Sequence, residues 1–166
     1  SLSRVYQAHP YVLQLGGEQL EVRYAPGESD NGLFGGNSNW RGPVWMPLNY
    51  LLIEALKRHH HFYGDSFQIE CPTGSGQKRT LLQVAEELER RVASLFLAGA
   101  SGGRPCLGGS DLHARDPNFQ GLLLFHEYFH GDTGRGLGAS HQTGWTALAA
   151  NVLERVAATR AARAGK

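Results

Sequence analysis

Apolar and polar positions alternate near the start of the chain. Tyr11, Leu13 and Leu15 share one face, Gly16-Gly17 interrupts, and Leu20, Val22 and Tyr24 resume the pattern. This predicts a β-hairpin closed by a permissive two-residue turn. The spacing then loosens: Ala25 to Trp45 is rich in Gly, Asn, Ser and Pro and reads as a long loop of the kind that presents side chains. A helical period takes over from about Pro47 to Tyr63, with Leu48, Leu51, Leu52, Ala55, Leu56, His59 and Phe62 on one stripe. After a loop over 64–78, Thr80 has the chemistry of an N-cap. It opens a helix to about Ala98 whose apolar face is Leu81, Ala85, Leu88, Val92 and Leu95, with Glu86, Glu87, Glu89, Arg90 and Arg91 outward.

A Gly/Ser/Arg linker, Gly99 to Arg104, leads into a stretch without a clear period. Leu122 to Phe129 is strongly apolar, which fits either a short helix or a buried extended segment. A last helix starts near Thr143 and buries Trp145, Leu148, Ala149, Val152 and Val156, ahead of a basic tail expected to be disordered. No repeat of solenoid length is visible.

Composition narrows the function classes. The 166 residues suffice for one domain with a real core, and a net charge of +1 leaves no footprint for nucleic acid or an anionic membrane. No apolar run approaches a membrane span, and no signal-peptide pattern opens the sequence. The two cysteines, Cys71 and Cys106, match neither a disulfide framework nor a zinc ribbon, and as unpaired thiols they favour the reducing cytoplasm. No cofactor motif is complete: Gly74 to Thr80 lacks phosphate-loop spacing and reads as a turn and cap. His59-His60-His61 cannot converge on one metal ion, because consecutive helical residues diverge by about 100°.

His126-Glu127-Tyr128-Phe129-His130 supports two incompatible chemistries. As H-E-x-x-H on a helix it places two imidazoles one turn apart for zinc, with the glutamate as general base of a peptidase. The longer zinc motif would continue with glycine and histidine where Thr133 and Gly136 stand, so that version fails. In the other reading, Glu127 is a lone carboxylate in an aromatic, glycine-rich pocket. A second constellation bears on this. Asn37 to Trp45 sets Trp40 and Trp45 five apart with Arg41 and Gly42 between them. Indole faces stack on sugar C–H surfaces while Arg and Asn bind hydroxyls. The plain alternatives stay open: both tryptophans plug a core, and Glu127 is hydrogen-bonded to a buried backbone turn.

The strings Gly35-Gly36-Asn37-Ser38-Asn39-Trp40-Arg41-Gly42-Pro43-Val44-Trp45-Met46-Pro47-Leu48-Asn49-Tyr50 and His126 to Asp132, followed by Gly144-Trp145-Thr146, resemble glycoside hydrolase family 63. Glu70 to Gly76 resembles a bacterial branch of the same family. The resemblance implies a mainly α fold: the C-terminal part of an (α/α)6 toroid over 25–160, with the hairpin over 1–24 before it and a disordered tail over 161–166. It further implies inverting hydrolysis of an α-linked oligosaccharide or glycoside, with no cofactor and no metal. Glu127 matches the general base, and Trp40, Arg41, Gly42, Trp45 and Trp145 match residues of the sugar pocket.

An inverting enzyme needs a second carboxyl group as acid. The resemblance places that acid in an upstream motif, in the remaining N-terminal part of the same domain, so this segment alone is expected to be inactive and to expose helix faces. Asp132 is a poor substitute, being five residues from Glu127 in a glycine loop. The competing expectation is a non-catalytic carbohydrate-binding or scaffold fragment.

Overall fold

The computed structural model describes residues 5–30, 42–100 and 102–165. The chain divides into two units, Ser1–Trp45 with Pro105–Gln142, and Met46–Arg104 with Thr143–Lys166. The described structure is mixed rather than mainly α, 43% helical with small antiparallel sheets. Its sheets come largely from loop-like sequence, where strand pairing between distant residues overrides the absence of a local period.

The first unit opens with a helical turn, α1 (Val5–Ala8), followed by the expected hairpin of β1 (Tyr11–Leu15) and β2 (Glu18–Val22). Its register pairs Tyr11 with Val22 and Leu13 with Leu20, so the apolar side chains anticipated on one face do meet across the strands. That face is largely bare: Tyr11, Leu13 and Leu15 are all exposed. Later come a 3-10 turn at Pro105–Leu107, the short α4 (Asp111–Arg115), and a second hairpin, β5 (Tyr128–Phe129) with β6 (Gly136–Leu137).

The second unit is built from α2 (Met46–Tyr63), α3 (Leu81–Ser94), the short α5 (Thr143–Thr146) and α6 (Leu148–Ala164). Within residues 64–78, expected as a loop, the chain instead forms β3 (Gln68–Glu70), which pairs with β4 (Lys78–Thr80). The turn between them is held by local bonds, Ser75 Oγ donating to the Pro72 carbonyl at 2.6 Å and accepting from Gln77 N–H at 3.2 Å. Thr80 then caps α3 as anticipated. Its hydroxyl accepts from Gln83 N–H at 3.2 Å while the Gln83 side chain accepts from Thr80 N–H at 2.9 Å, a reciprocal capping box. The helix α6 continues to Ala164, through residues expected to be disordered, and Arg163 pairs with Glu86 at 2.6 Å.

Two features depart from the hydrophobic pattern. Glu89, expected on the outer face of α3, is 2% exposed. Its carboxylate takes the Lys57 ammonium of α2 at 2.6 Å and the Arg155 guanidinium of α6 at 3.5 Å. Arg155 also donates to Glu54 and, at 3.2 Å, to the Tyr50 hydroxyl, which in turn donates to Asn151 at 3.1 Å. A charge taken from water must be matched by opposite charge and hydrogen bonds, and here three helices supply the match.

The second departure concerns α2. Helix α2 turns Tyr50, Ile53, Glu54 and Lys57 inward, so the leucine stripe faces out, with Leu51 at 64% and Phe62 at 80% exposed. The inward face of α2 thus combines the polar network with buried Met46 and Ile53.

Glu89→Ala would leave the Lys57 ammonium without its counter-charge and Arg155 with Glu54 alone, and is expected to cost about 2–3 kcal/mol. Loss of the cap in Thr80→Ala should cost about 1 kcal/mol. Urea-unfolding midpoints should therefore rank parent, Thr80→Ala and Glu89→Ala in that order. A Glu89→Ala midpoint equal to the parent's would mean that the cluster does not hold the helices together.

Candidate functional site

Glu127 is half-buried and stands one residue before β5. Glu127 lies in a bend and Tyr128–Phe129 are extended, and no residue from His126 to His130 is helical. Phe129 pairs with Gly136 on one side and with Val44 on the other. The Val44 bridge is closed by Val44 N–H to the Phe129 carbonyl at 2.8 Å and Phe129 N–H to the Val44 carbonyl at 2.9 Å. The helix required by the zinc reading is therefore absent, and His126 and His130 do not sit one helical turn apart. Among the described residues no group of three or more His, Cys, Asp or Glu is placed to hold a metal ion.

The histidines have other surroundings. His130 Nδ1 accepts from the backbone N–H of Asp132 and Thr133 at 3.2 and 3.3 Å, and its carbonyl accepts from Gly134 N–H at 2.8 Å. It organises the turn that joins β5 to β6. His126 packs edge-on to Phe129, with 6.4 Å between ring centroids. It borders a cleft of about 330 Å³ shared with Cys106, Ser110, His113, Leu124 and Arg135. Burial, then the charges of His113 and His141, hold its imidazole below the ordinary value of 6.5.

Glu127 is fixed by the turn after β6. Its N–H donates to the Ala139 carbonyl at 2.8 Å, and its Oε2 accepts from Ala139 N–H at 3.2 Å. The alternative of a glutamate bonded to a buried backbone turn is met in part: the bond is made, but the turn at Gly138 and Ala139 is exposed. Gly138, at φ +66°, lies directly against the carboxylate. A Cβ there would stand 2.6 Å from Glu127 Oε2 and 2.8 Å from Tyr128 Cε1. On the neighbouring residue, the Tyr128 ring is buried and stacks on Trp45 with centroids 4.6 Å apart and planes 26° from parallel. The Tyr128 hydroxyl donates to Glu28, whose other oxygen accepts from Gly138 N–H at 3.3 Å. Burial, the bonded Glu28 carboxylate and the nearby Glu127 charge together push the phenol above the ordinary tyrosine range.

Of the anticipated site residues, Gly42, Trp45 and Glu127 belong to the same unit. Gly42 is buried where three stretches of backbone meet: a Cβ on it would stand 2.3 Å from the Ala25 carbonyl, and one on Gly131 would stand 2.3 Å from the Gly42 carbonyl. Trp45 is 3% exposed, so its indole supports Tyr128 from beneath. Trp145 lies on α5 in the other unit and is half-buried. Trp40 and Arg41 fall outside the described residues. Asp132 is exposed and accepts from the Tyr24 hydroxyl at 3.0 Å.

The residue missed from sequence is Glu28. Its only sequence signal is an acidic side chain in a glycine-containing loop, Gly27-Glu28-Ser29-Asp30. A larger cleft of about 390 Å³ in the second unit is lined by Glu86, Glu87, Arg90 and Arg163. Several of its charges are paired: Arg90 and Arg91 hold the Glu87 carboxyl down at about 2, and Arg163 pairs with Glu86.

No family model matches the chain, and no solved structure matches it. Uncharacterized protein YMR196W of Saccharomyces cerevisiae is 50% identical over 158 residues, which is 94% of this chain and 14% of that protein. Mannosyl-oligosaccharide glucosidase of the same yeast is 28% identical over 123 residues, 74% of this chain and 12% of the enzyme. A probable mannosyl-oligosaccharide glucosidase of Schizosaccharomyces pombe is 25% identical over 119 residues, 71% of this chain and 11% of that protein. Distant homologues of this chain are thus glucosidases. The chain spans between 11% and 14% of the length of these relatives.

Two outcomes follow from the site geometry. Gly138→Ala forces a side chain into the left-handed region, a cost of about 1–2 kcal/mol, and drives a methyl into Glu127. The loss should appear as a lower urea midpoint, while a midpoint unchanged from the parent would contradict the packing. The second concerns pH. The fold favours neutral His126, so the unfolded chain binds that proton more readily and stability declines as pH falls through 6.5, levelling below the folded value. Unfolding midpoints at pH 7.5 and 5.5 should differ less in His126→Gln than in the parent.

Proposed function

We propose that this chain is the C-terminal segment of an inverting α-glycosidase of the family 63 type, acting on α-linked glucosides, with Glu127 as its general base. The observation that carries the reading is the anchoring of Glu127. It is half-buried beside an aromatic stack and bonded through Oε2 to a backbone amide. Similarity to glucosidases over about 72% of the chain supports the substrate class.

In the proposed reaction a water oxygen attacks the anomeric carbon while Glu127 takes one of its protons. The glycosidic C–O bond breaks, and the leaving oxygen receives a proton from a carboxylic acid in the remaining N-terminal part of the same domain. A new C–O bond forms on the opposite face, which inverts the configuration. Oε2 is engaged by Ala139, so Oε1 is the oxygen assigned to the water.

Trp40, Arg41, Gly42 and Trp45 are proposed for a sugar subsite, and Trp145 is proposed by itself as a sugar-contacting aromatic. Within the subsite Trp45 acts through the Tyr128 ring stacked on it, and Gly42 holds the loop close to the strand of Glu127. The three long helices are proposed as part of an (α/α)6 ring. Their exposed leucine stripe on α2 suits a helix that other segments of a larger domain would cover. Cys71 and Cys106 are not joined in a disulfide, which suits the proposed cytoplasmic setting.

The test uses the full-length protein that carries this sequence and an α-glucosyl fluoride. Glu127→Gln should lower kcat by about 10³-fold, the scale of a lost general base, with KM little changed. Near-parental turnover would remove Glu127 from the chemistry and leave a carbohydrate-binding segment as the better reading.

A further inference from the structure

The loop Gly27-Glu28-Ser29-Asp30 reaches the site through one side chain. Glu28 is exposed, yet both its oxygens point at the elements that hold Glu127. One accepts the Tyr128 hydroxyl, and the other accepts Gly138 N–H at 3.3 Å. The next amide along, Ala139 N–H, donates to Glu127 Oε2 at 3.2 Å. Consecutive amides of one turn are therefore shared between two glutamates brought together from positions about a hundred residues apart in sequence.

The turn has little freedom to do this by itself. Gly138 sits in the left-handed region and touches both the Glu127 carboxylate and the Tyr128 ring. If the turn rotates, Ala139 N–H leaves Oε2 and the carboxylate swings with it. Glu28 opposes that rotation by gripping the turn at Gly138 and the strand at Tyr128 together.

We propose that Glu28 is a positioning residue for the general base, holding the Gly138–Ala139 turn and the Tyr128 hydroxyl so that the Glu127 carboxylate stays aimed at the attacking water. The inference rests on the assignment of Glu127 as base. A carboxylate suits both contacts: the Gly138 amide and the Tyr128 hydroxyl both donate to it, and an ionised carboxylate accepts from both. A glutamine has nearly the same shape but no charge; with its oxygen on Gly138 N–H its NH2 faces the Tyr128 hydroxyl, which must turn to accept, so the charge-assisted bond from the phenol is lost. Aspartate keeps charge and both acceptors on a stem shorter by one methylene. A small displacement of a catalytic carboxylate slows the chemical step more than it weakens ground-state binding.

The experiment compares the full-length protein with its Glu28→Gln, Glu28→Asp and Glu127→Gln variants, using an α-glucosyl fluoride as probe. Circular dichroism checks that each variant is folded. Glu28→Gln should lower kcat about ten-fold or more with KM changed less than three-fold, and Glu28→Asp should retain clearly more turnover than Glu28→Gln. A readout independent of activity is Tyr128 ionisation, followed by carbon NMR of tyrosine-labelled protein and assigned with Tyr128→Phe. The phenol should ionise at lower pH in Glu28→Gln than in the parent.

Parental kcat in Glu28→Gln, alongside lost turnover in Glu127→Gln, would overturn the role of Glu28 and spare the base assignment. Turnover preserved in Glu127→Gln would overturn both. An unchanged Tyr128 titration in Glu28→Gln would show that the contact is not made in solution, and would also overturn the proposal. Should Glu28→Gln fail the folding check, Glu28→Asp and the folded Tyr128→Phe carry the kinetic test. A kcat in both within two-fold of the parent overturns the role, and a fall in kcat at constant KM supports it.

Discussion

The extended backbone at Tyr128–Phe129 is the constraint from which the site follows. Hydrogen-bonded to Val44 on one side and paired with β6 on the other, it cannot wind into a helix without losing both sets of bonds. Unpaired buried amides are costly, so the pairing is self-enforcing once the flanking rings are buried. From it follow the turn that meets the Glu127 carboxylate, the stacking of Tyr128 on Trp45, and the docking of the Gly42 loop against Gly131. The same constraint removes the geometry that two histidines would need to grip zinc from successive helical turns.

The second unit rests on a different principle. Its helices are joined by a buried carboxylate that none of them could neutralise alone. Such clusters are poor sources of net stability compared with apolar packing, but breaking one is expensive. Here the cluster lies on the inward face of α2 beside buried Ile53, while Leu48, Leu51 and Leu52 are exposed. That exposed stripe is the feature most in keeping with a segment of a larger helical domain.

Legibility of the sequence tracked the range of the interactions involved. The first hairpin, both long central helices and the Thr80 cap were visible because alternation, helical period and capping chemistry act within a few residues. Glu89 was misplaced because its partners Lys57 and Arg155 lie on other helices, and nothing near Glu89 reports them. The β3–β4 pair was missed because its strands are three residues long and carry Gln, Glu, Lys and Arg rather than β-branched alternation. For His126 to His130 the motif itself was ambiguous, and only the distant pairing with Val44 decided its conformation. Glu127 stands out in the sequence through its aromatic surroundings and the family resemblance, whereas Glu28 carries no such signal, since its partners lie about a hundred positions away.

The central claim, that Glu127 activates water on the face opposite the leaving group, can be tested by replacing the carboxylate with a small anion. In the full-length protein, Glu127→Ala is mixed with an α-glucosyl fluoride and azide, and the product is read by proton NMR. The account predicts negligible turnover without azide, and its partial recovery with azide as a β-glucosyl azide. Undiminished hydrolysis by Glu127→Ala without azide, or an α-configured azide product, would contradict it.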